Sequence, residues 1–275
     1  MNNRSNQPVI VRGGGDLATG VIDSLRRAGY PVLILEIPTP SAIRRHVALC
    51  EAVYQGEARV EDCGCRLVDS MEGVEGCWRQ KLPAMVIDSA GEWIERIRPW
   101  AVVDAILAKR NLGTHIDMAP KTVALGPGFT AGKDVRVVIE TMRGHHLGRI
   151  IYSGAALPNT GTPGLIAGEG KDRVIHAPAA GIFCAVSKIG DMVTRGEPIG
   201  YICSDGGEAV VPATLTGLLR GVIRDGFVVT KGLKIGDIDP RTEEYENCFS
   251  ISDKARALGG SVLTALLQME AVDGF

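Results

Sequence analysis

The sequence predicts an α/β protein in which a parallel-sheet domain precedes a small all-β domain and a C-terminal helix. In the first half, short apolar strands alternate with helical segments, as a sheet buried on both faces requires. Further on, residues 181–200 align without a gap on residues 217–236. An amphipathic pattern over 252–270 predicts the closing helix. We therefore expect domains at 1–165 and 172–240 and a helical segment at 245–275.

A glycine turn connects the first predicted strand, 8–11, to the first predicted helix. It fits the fingerprint G-x-G-x-x-[GA], in which glycines permit a tight turn and close approach of a ligand. The helix N-terminus then offers N–H groups and a positive dipole end to a phosphate. These features predict a Rossmann-like dinucleotide site that uses Gly13, Gly14, Gly15, Asp16 and Ala18. The alternative is that the glycines only make a tight turn.

An acidic residue, Glu36, ends the second predicted strand, 32–35. It lies about 20 residues beyond the glycines, where the fingerprint places a carboxylate that binds ribose hydroxyls. Pro38 and Pro40 interrupt the chain directly afterwards, unlike the loop of an ordinary dehydrogenase. A nucleotide is therefore better supported than nicotinamide, and a solvated Glu36 is the alternative.

The stretch from residue 41 to residue 65 carries weaker signals. Its spacing predicts a helix over 41–49 and short strands at 52–54 and 58–60. Cys63 and Cys65 are one residue apart, so both could reach one metal or form a redox pair. Because no nearby histidine or second close cysteine pair completes a zinc site, no metal site is predicted. Ordinary half-buried thiols are the alternative.

The strand pattern resumes after residue 83 and places two acids at strand ends. Asp88 and Asp104 each follow an apolar run, at the edge where open α/β sheets bind ligands. Each is equally well explained as a helix cap or a surface turn. The predicted elements are strands at 84–87, 100–103, 122–125 and 135–139 and a helix at 92–98.

Two later loops supply further candidate ligand contacts. The loop 126–132 is glycine-rich and follows a strand, so it could cradle a ligand or merely connect two strands. The loop 140–148 combines arginine with two histidines, a set suited to phosphate or an oxyanion. A structural role or a histidine acid/base is the alternative for this second loop. The predicted cofactor contacts are Gly126, Gly128, Arg143, His145 and His146.

The repeat lies beyond a loop-like boundary at 154–172. Each copy predicts three short strands, too few to bury an apolar face, so the two copies should clasp each other. This arrangement resembles the barrel-sandwich hybrid of lipoyl and biotinyl domains. The joining stretch 203–208 contains no lysine, which argues against swinging-arm chemistry. A module that docks a partner or covers a site is expected instead.

Composition limits the partners and the compartment. The formal charge is −2 and the pI about 6.2, so neither nucleic acid nor an anionic membrane is an expected partner. The N-terminus has no apolar signal region, and no stretch approaches the length of a membrane span. Seven scattered cysteines fit reduced thiols, which predicts the cytoplasm. Formation of a homo-oligomer is left open.

Several uncommon strings together resemble one family, the accessory proteins of selenium-dependent molybdenum hydroxylase systems. They are VIVRGGGDLATGVIDSL, VVDAILAKRNLGT, GPGFTAGKDV, VIETMRGHHLGRI and PNTGTPG, within a similarity that extends from about Val9 to Pro240. The first half is more distantly similar to the Rossmann domain of xanthine dehydrogenase accessory factors. The resemblance implies maturation of a molybdenum hydroxylase through its molybdopterin dinucleotide cofactor. It supplies no catalytic residues.

Two other functions compete with this one, and the sequence does not decide whether the protein is an enzyme. One is an NAD(P)-dependent oxidoreductase with His145 or His146 as the acid. The other is a scaffold that docks a hydroxylase. Selenium transfer by Cys63 or Cys65 is a further hypothesis.

Overall fold

A computed structural model describes residues 4–161, 168–204 and 206–272. The chain divides into two compact units. Unit 1 comprises Met1–Pro40, Ala48–Thr160 and Ile251–Phe275, and unit 2 comprises Ser41–Val47 and Gly161–Ser250. The domain limits given above stay a prediction, and the limit at 165 lies outside the described residues.

The largest element of unit 1 is a mixed β-sheet. Its strands, as far as the chain is described, are β1 (Val9–Arg12), β2 (Val32–Glu36), β3 (Glu57–Val60), β4 (Cys63–Leu67), β5 (Ala84–Ile87), β6 (Ala101–Asp104), β7 (Lys121–Leu125), β9 (Val137–Ile139) and β10 (Ile150–Ile151). Two further strands, β8 (Thr130–Ala131) and β11 (Gly154–Ala155), pair with each other in a separate sheet. The sheet order is β10-β9-β7-β6-β1-β2-β5-β4-β3. All neighbours from β9 to β4 run parallel, and β10 and β3 join the two edges antiparallel.

Five α-helices accompany this sheet in the described residues: α1 (Asp16–Arg27), α2 (Ala52–Gln55), α3 (Met71–Arg79), α4 (Glu92–Ile97) and α5 (Asp253–Ala271). The apolar face of α1 is buried through Val21, Ile22 and Leu25. Helices α1 and α5 cross where both carry glycine, because a Cβ on Gly20 or on Gly259 would overlap the backbone of the other helix. The C-terminal helix therefore belongs to the unit that begins the chain.

Parallel pairing brings polar strand ends together. Arg12 ends β1, Glu36 ends β2 and Asp104 ends β6, and Arg12 lies opposite Asp104 in the register. The apolar residues that precede them in β1, β2 and β6 are buried on both faces. The continuous apolar runs thus position this polar edge, which we call the carboxyl edge.

Two predicted elements between β2 and β3 are wrong. The expected helix over 41–49 is absent: Arg45–Val47 and Leu49–Glu51 are separate 3-10 turns. The Leu49 N–H donates to Thr19 Oγ1 at 3.1 Å and the Cys50 N–H to the Gly14 carbonyl at 2.8 Å. These backbone N–H groups therefore form hydrogen bonds with distant parts of the chain and not the internal hydrogen bonds of an α-helix. The expected strand 52–54 is instead helix α2, which ends at Gly56 with φ +82°.

Unit 2 contains β12 (Val174–His176), β13 (Gly181–Ala185), β14 (Met192–Val193), β15 (Pro198–Ser204), β16 (Gly207–Pro212), β17 (Gly217–Val222), β18 (Val228–Val229) and β19 (Lys234–Asp239). They form two four-stranded sheets, β12-β19-β17-β14 and β16-β15-β13-β18. Strand β14 of the first repeat pairs with β17 of the second, and β18 of the second pairs with β13 of the first. The expected clasp between the repeats is confirmed, while Asp205, within the joining stretch, lies outside the described residues.

The predicted fold class needs correction. A Rossmann-like parallel sheet domain followed by a barrel-sandwich-hybrid-like domain and a C-terminal helix is not the arrangement found. The large sheet is mixed, its unit includes α5, and residues 41–47 belong to the other unit. The molecule is better described as a mixed α/β protein with a large, mostly parallel sheet. Short antiparallel edge strands such as β10 leave little periodic signal, which is why they were missed.

Candidate functional site

The protein's own backbone fills most of the glycine turn. Gly13 has φ +93°, and a Cβ there would lie 3.1 Å from the carbonyl oxygen of Ala105. A Cβ on Gly14 would lie 3.1 Å from the backbone nitrogen of Cys50. These two glycines are thus explained by contact between chain segments. Gly15 differs, because no heavy atom lies within 4 Å of a Cβ built there.

Glu36 bonds to the glycine turn. Its carboxylate accepts hydrogen bonds from the Gly14 N–H at 2.7 Å and from the Ile37 N–H at 2.9 Å. Burial raises the pKa of Glu36, although both hydrogen bonds act in the opposite direction. The carboxylate predicted to bind ribose thus already binds the turn. Asp16 and Ala18 follow the glycine turn and lie in the first turn of α1. The N-cap residue of this helix, Gly15, has no side chain that could cap it.

The two acids at strand ends hold loops. Asp104 accepts a hydrogen bond from Thr114 Oγ1 at 2.6 Å and pairs with Arg12 at 3.8 Å, while Arg12 also donates to Thr114. Burial raises the pKa of Asp104, and these partners oppose the shift. Asp88 accepts from the Gly91 N–H at 2.7 Å and from the Trp93 N–H at 2.8 Å. Both acids therefore satisfy backbone or side-chain donors at the start of the following segment.

The second glycine loop also packs on protein. Gly126 has φ +78°, and a Cβ there would lie 2.5 Å from Thr141 Oγ1. Gly128 has φ +110°, and its Cβ would lie 2.7 Å from the backbone of Arg110. Both positions require glycine for conformation and for space. Contact with a ligand is not needed to explain them.

The basic loop that follows β9 is exposed. Arg143 pairs with Asp253 of α5 through two hydrogen bonds, at 2.7 and 3.1 Å. The rings of His145 and His146 meet edge to face with their centroids 5.2 Å apart. The histidines thus remain near each other, whereas Arg143 is bound to α5.

Next to Asp253 in sequence, Lys254 is a half-buried cation. Burial lowers the pKa of Lys254, and the positive charge of Arg143 lowers it further. The charges of Asp16, Asp253 and Glu140 act in the opposite direction. Lys254, at the start of α5, therefore interacts electrostatically with Asp16 in the first turn of α1 and with Glu140 directly after β9.

A groove of about 550 Å³ lies beside β9 and β10, and we call it the β10 groove. Its volume lies in the range of small-molecule sites. The lining residues are Glu140, His146, Arg149, Ile150, Ile151, Tyr152, Ser153, Ala155 and Leu157.

The groove walls are fixed by Glu140, which is only 3% exposed. Its carboxylate accepts from the Met142 N–H at 2.7 Å and from the Leu157 N–H at 2.8 Å. Tyr152 donates from its hydroxyl to Gln268 of α5. These bonds hold both sides of the groove without using its cations. In the described part of the chain, the side chains of Arg149 and His146 make no hydrogen bond or ion pair.

The cysteine pair of the first unit is poorly suited to thiol chemistry. Cys63 and Cys65 are both buried in β4. Burial raises the pKa of Cys63 to about 11, and it also raises the pKa of Cys65. A protonated thiol is a weak nucleophile. Among the described residues, no group of three or more His, Cys, Asp or Glu side chains is placed to hold a metal ion.

Sequence reasoning missed three residues of this region: Arg149, Tyr152 and Lys254. Arg149 and Tyr152 follow the basic loop directly, so their proximity in sequence was a usable signal. Lys254 carried no such signal, because only the packing of α5 against α1 brings it near Asp16.

The chain was compared with known proteins. No family model matches it. It is 51% identical over 265 residues to the uncharacterized protein YqeB of Escherichia coli (strain K12), covering 96% of this chain and 48% of that protein. The chain thus spans about half the length of this curated relative.

Solved structures show only distant similarity. The ectoine utilization protein EutE (DoeB) from Ruegeria pomeroyi is 12% identical, with a TM-score of 0.27 over 84% of this chain and 86% of that one. A succinylglutamate desuccinylase/aspartoacylase from Rhodobacter sphaeroides is 15% identical, with a TM-score of 0.28 over 84% of each chain. Scores this low transfer neither a fold nor an activity.

These findings overturn the family expectation. No family model matches the chain and its curated relative is uncharacterized, so the resemblance to accessory factors of molybdenum hydroxylases was wrong, and the molybdenum and selenium functions fall with it. The hydroxylase partner stays a prediction. The two competing functions, an NAD(P)-dependent oxidoreductase and a hydroxylase scaffold, likewise find no support. Within the described residues, no helix is both long and apolar enough to cross a bilayer.

Proposed function

We propose that unit 1 binds a small organic anion in the β10 groove. The single observation that supports this most is the pairing of a groove of ligand size with two basic side chains, Arg149 and His146, that have no hydrogen-bonding partner among the described residues. Most ligand sites combine an apolar lining with a few convergent polar groups, and this groove has that composition.

The charge of the groove favours an oxyanion. The Arg149 guanidinium can donate two parallel hydrogen bonds to a carboxylate or a phosphate. His146, which also lines the groove, can add an N–H donor. The oxygens of Glu140 accept backbone N–H groups at 2.7 and 2.8 Å, and among the described residues Glu140 makes no ion pair with Arg149.

The uncharged part of the ligand is expected to be apolar. Ile150 and Ile151 are half-buried, and Leu157 is exposed. Covering these side chains would remove apolar surface from water, which is favourable. Tyr152 adds an aromatic wall that stacks well on a ring. An aromatic or branched aliphatic acid, or its phosphate ester, has this division of polarity.

Phenyl phosphate and phenol test the proposal, because they share a ring and differ in the anion. We expect calorimetry to show binding of phenyl phosphate by the full chain, with affinity at least about tenfold weaker for Arg149→Gln, the loss of a charge-assisted hydrogen bond. Phenol should bind both forms equally weakly. Arg66→Gln, at an exposed arginine on β4, is the matched control and should bind like the wild type. Equal affinity of wild type and Arg149→Gln, or no binding to either, would contradict the proposal.

The dinucleotide cofactors considered above, of molybdopterin type or NAD(P), stay predictions about the glycine turn. A pyrophosphate there would rely on the open position at Gly15, since the Gly14 N–H is already bonded to Glu36. Titration of NADH into wild type and Gly15→Val tests this. Unchanged affinity in the variant would count against a pyrophosphate at α1.

The proposed location is the cytoplasm. All seven cysteines are free thiols, which fits a reducing compartment. Fractionation of cells that express the tagged chain tests the location. The absence of a nucleic-acid partner stays a prediction, and so does the possibility of a homo-oligomer.

A further inference from the structure

Unit 2 carries two cysteines whose surroundings differ from those of the others. Cys184 in β13 and Cys203 in β15 are half-exposed, and their Sγ atoms are 2.6 Å apart. The remaining cysteines, which are Cys50, Cys63, Cys65, Cys77 and Cys248, are buried. An adjacent and accessible thiol pair can undergo exchange that buried single thiols cannot.

The strand register holds this pair on one face of the sheet. Ile182 lies opposite Cys203, and Cys184 lies opposite Tyr201. Side chains directly opposite each other share a face, so both cysteines project from the same side as diagonal neighbours. Phe183 and Ile202, which alternate with them, point into the core and are at most 1% exposed. The paired strands therefore fix the two thiols without help from a mobile loop.

The face that carries the thiols is open. Ile182 is 48% exposed, and Val228, opposite it on β18, is 73% exposed. A small reagent can therefore approach the sulfur atoms from solvent. Apolar surface beside a thiol pair also leaves room for the carbon chain of a disulfide reagent.

A hydrogen bond joins the two thiols. The hydrogen bond with Cys184 raises the pKa of Cys203 to about 11, and burial adds to this shift. Either sulfur can donate this hydrogen bond, so either thiol can be the first to attack once it has lost its proton.

We propose that Cys184 and Cys203 form a redox-active dithiol, which a low-molecular-weight disulfide oxidises to an intramolecular disulfide. The thiolate of one of the two cysteines attacks one sulfur of the reagent, forming a mixed disulfide and releasing one reagent thiol. The other cysteine then loses its proton and attacks the protein sulfur of the mixed disulfide, which forms the Cys184–Cys203 bond and releases the second reagent thiol. The protein loses two electrons and two protons, and the reagent disulfide gains them as two thiols.

Glutathione disulfide is the probe. The full chain is equilibrated over a series of glutathione to glutathione disulfide ratios, quenched with acid, alkylated under denaturing conditions and weighed. We expect a species with two fewer alkylatable thiols than the reduced protein, no bound glutathione, and a disulfide-linked peptide pair that contains Cys184 and Cys203. Two glutathione adducts, a link between other cysteines, or full alkylation at every ratio would overturn the proposal.

Serine variants separate the two steps. Cys203→Ser and Cys184→Ser should each stop at a mixed disulfide, with one glutathione retained on the remaining cysteine of the pair, because the resolving thiol is gone. Ser187→Cys provides a control, an extra thiol in the same unit but outside strands β13 and β15. Closure of an internal disulfide in either serine variant would also overturn the proposal.

Discussion

The carboxylate of Glu36 accepts a hydrogen bond from the Gly14 N–H at 2.7 Å, so the end of β2 is bonded to the turn that follows β1. The same turn uses its Gly14 carbonyl to accept from the Cys50 N–H at 2.8 Å. Both backbone groups of Gly14 are therefore satisfied within the protein. The glycine pattern is typical of a phosphate site. In this protein it joins the turn after β1 to the end of β2 and to the segment around Cys50.

The burial of Glu36 predicts a pH-dependent contribution to stability. Burial raises the pKa of Glu36, so the folded protein binds this proton more tightly than the unfolded chain. Stability from this group is therefore complete below about pH 4.5, the usual value for glutamate, and falls as the pH rises through the raised pKa. In Glu36→Gln, which has no titrating carboxylate at this position, stability should not show this fall with rising pH. Urea unfolding from pH 4 to pH 8 measures it, with Glu72→Gln at an exposed residue as control. Parallel curves for wild type and Glu36→Gln would contradict the prediction.

Removal of the same carboxylate should be costly. Glu36→Ala leaves the buried N–H of Gly14 without its acceptor, which should lower the free energy of unfolding by about 1 to 3 kcal/mol. Chemical denaturation at pH 7 measures the loss. Glu72→Ala again serves as the control and should change little. A Glu36→Ala protein as stable as the wild type would mean that water replaces the carboxylate at the turn.

The crossing of α1 and α5 predicts opposite effects for two neighbouring glycines. Gly259→Ala places a methyl group onto the backbone of α1 at Gly20, which should destabilise the protein by about 1 to 3 kcal/mol through forced separation of the helices. Gly260→Ala meets no atom within 4 Å, so it should stabilise α5 by about 0.5 to 1 kcal/mol. Thermal unfolding of both variants checks the sign. A gain from Gly259→Ala would contradict the close crossing.

Local patterns predicted β1, α1 and β2 well, because each combines an apolar run or stripe with a clear stop. The segment around Leu49 was not predictable in this way. Its helical spacing is real, but its N–H groups bond to Thr19 and Gly14, which no local rule anticipates. In the candidate site, too, some features follow from the local sequence and others depend on tertiary contacts. The basic loop with His146 could be read from composition, whereas the approach of Lys254 depends on helices far apart in the sequence.

A buried ionic network in unit 2 predicts a large loss on truncation. Asp237, 3% exposed, pairs with Arg173 at 3.1 Å and accepts from Arg220 Nε at 2.7 Å. Burial lowers the pKa of Arg173, and the charge of Asp237 acts in the opposite direction. Asp237→Ala should cost about 3 to 5 kcal/mol, because it removes the buried carboxylate that pairs with both Arg173 and Arg220. Glu75→Ala breaks an exposed pair with Arg79 and should stay within about 0.5 kcal/mol. Equal losses in urea unfolding would refute this difference.

Lys254 predicts a pH dependence of the opposite sign to that of Glu36. Burial lowers the pKa of Lys254, and Arg143 adds to the effect, so the unfolded chain binds this proton more tightly than the folded protein. Stability should therefore rise with pH between the lowered pKa and about 10.5, the usual value for lysine. Lys254→Met removes the titrating group, so its stability should exceed that of the wild type at pH 7, and the difference should shrink toward pH 10. Lys133→Met, at an exposed lysine, is the control for loss of a positive charge. Urea unfolding at pH 7 to 10 distinguishes the outcomes: a constant difference between wild type and Lys254→Met would show that packing, and not protonation, sets the contribution of this residue.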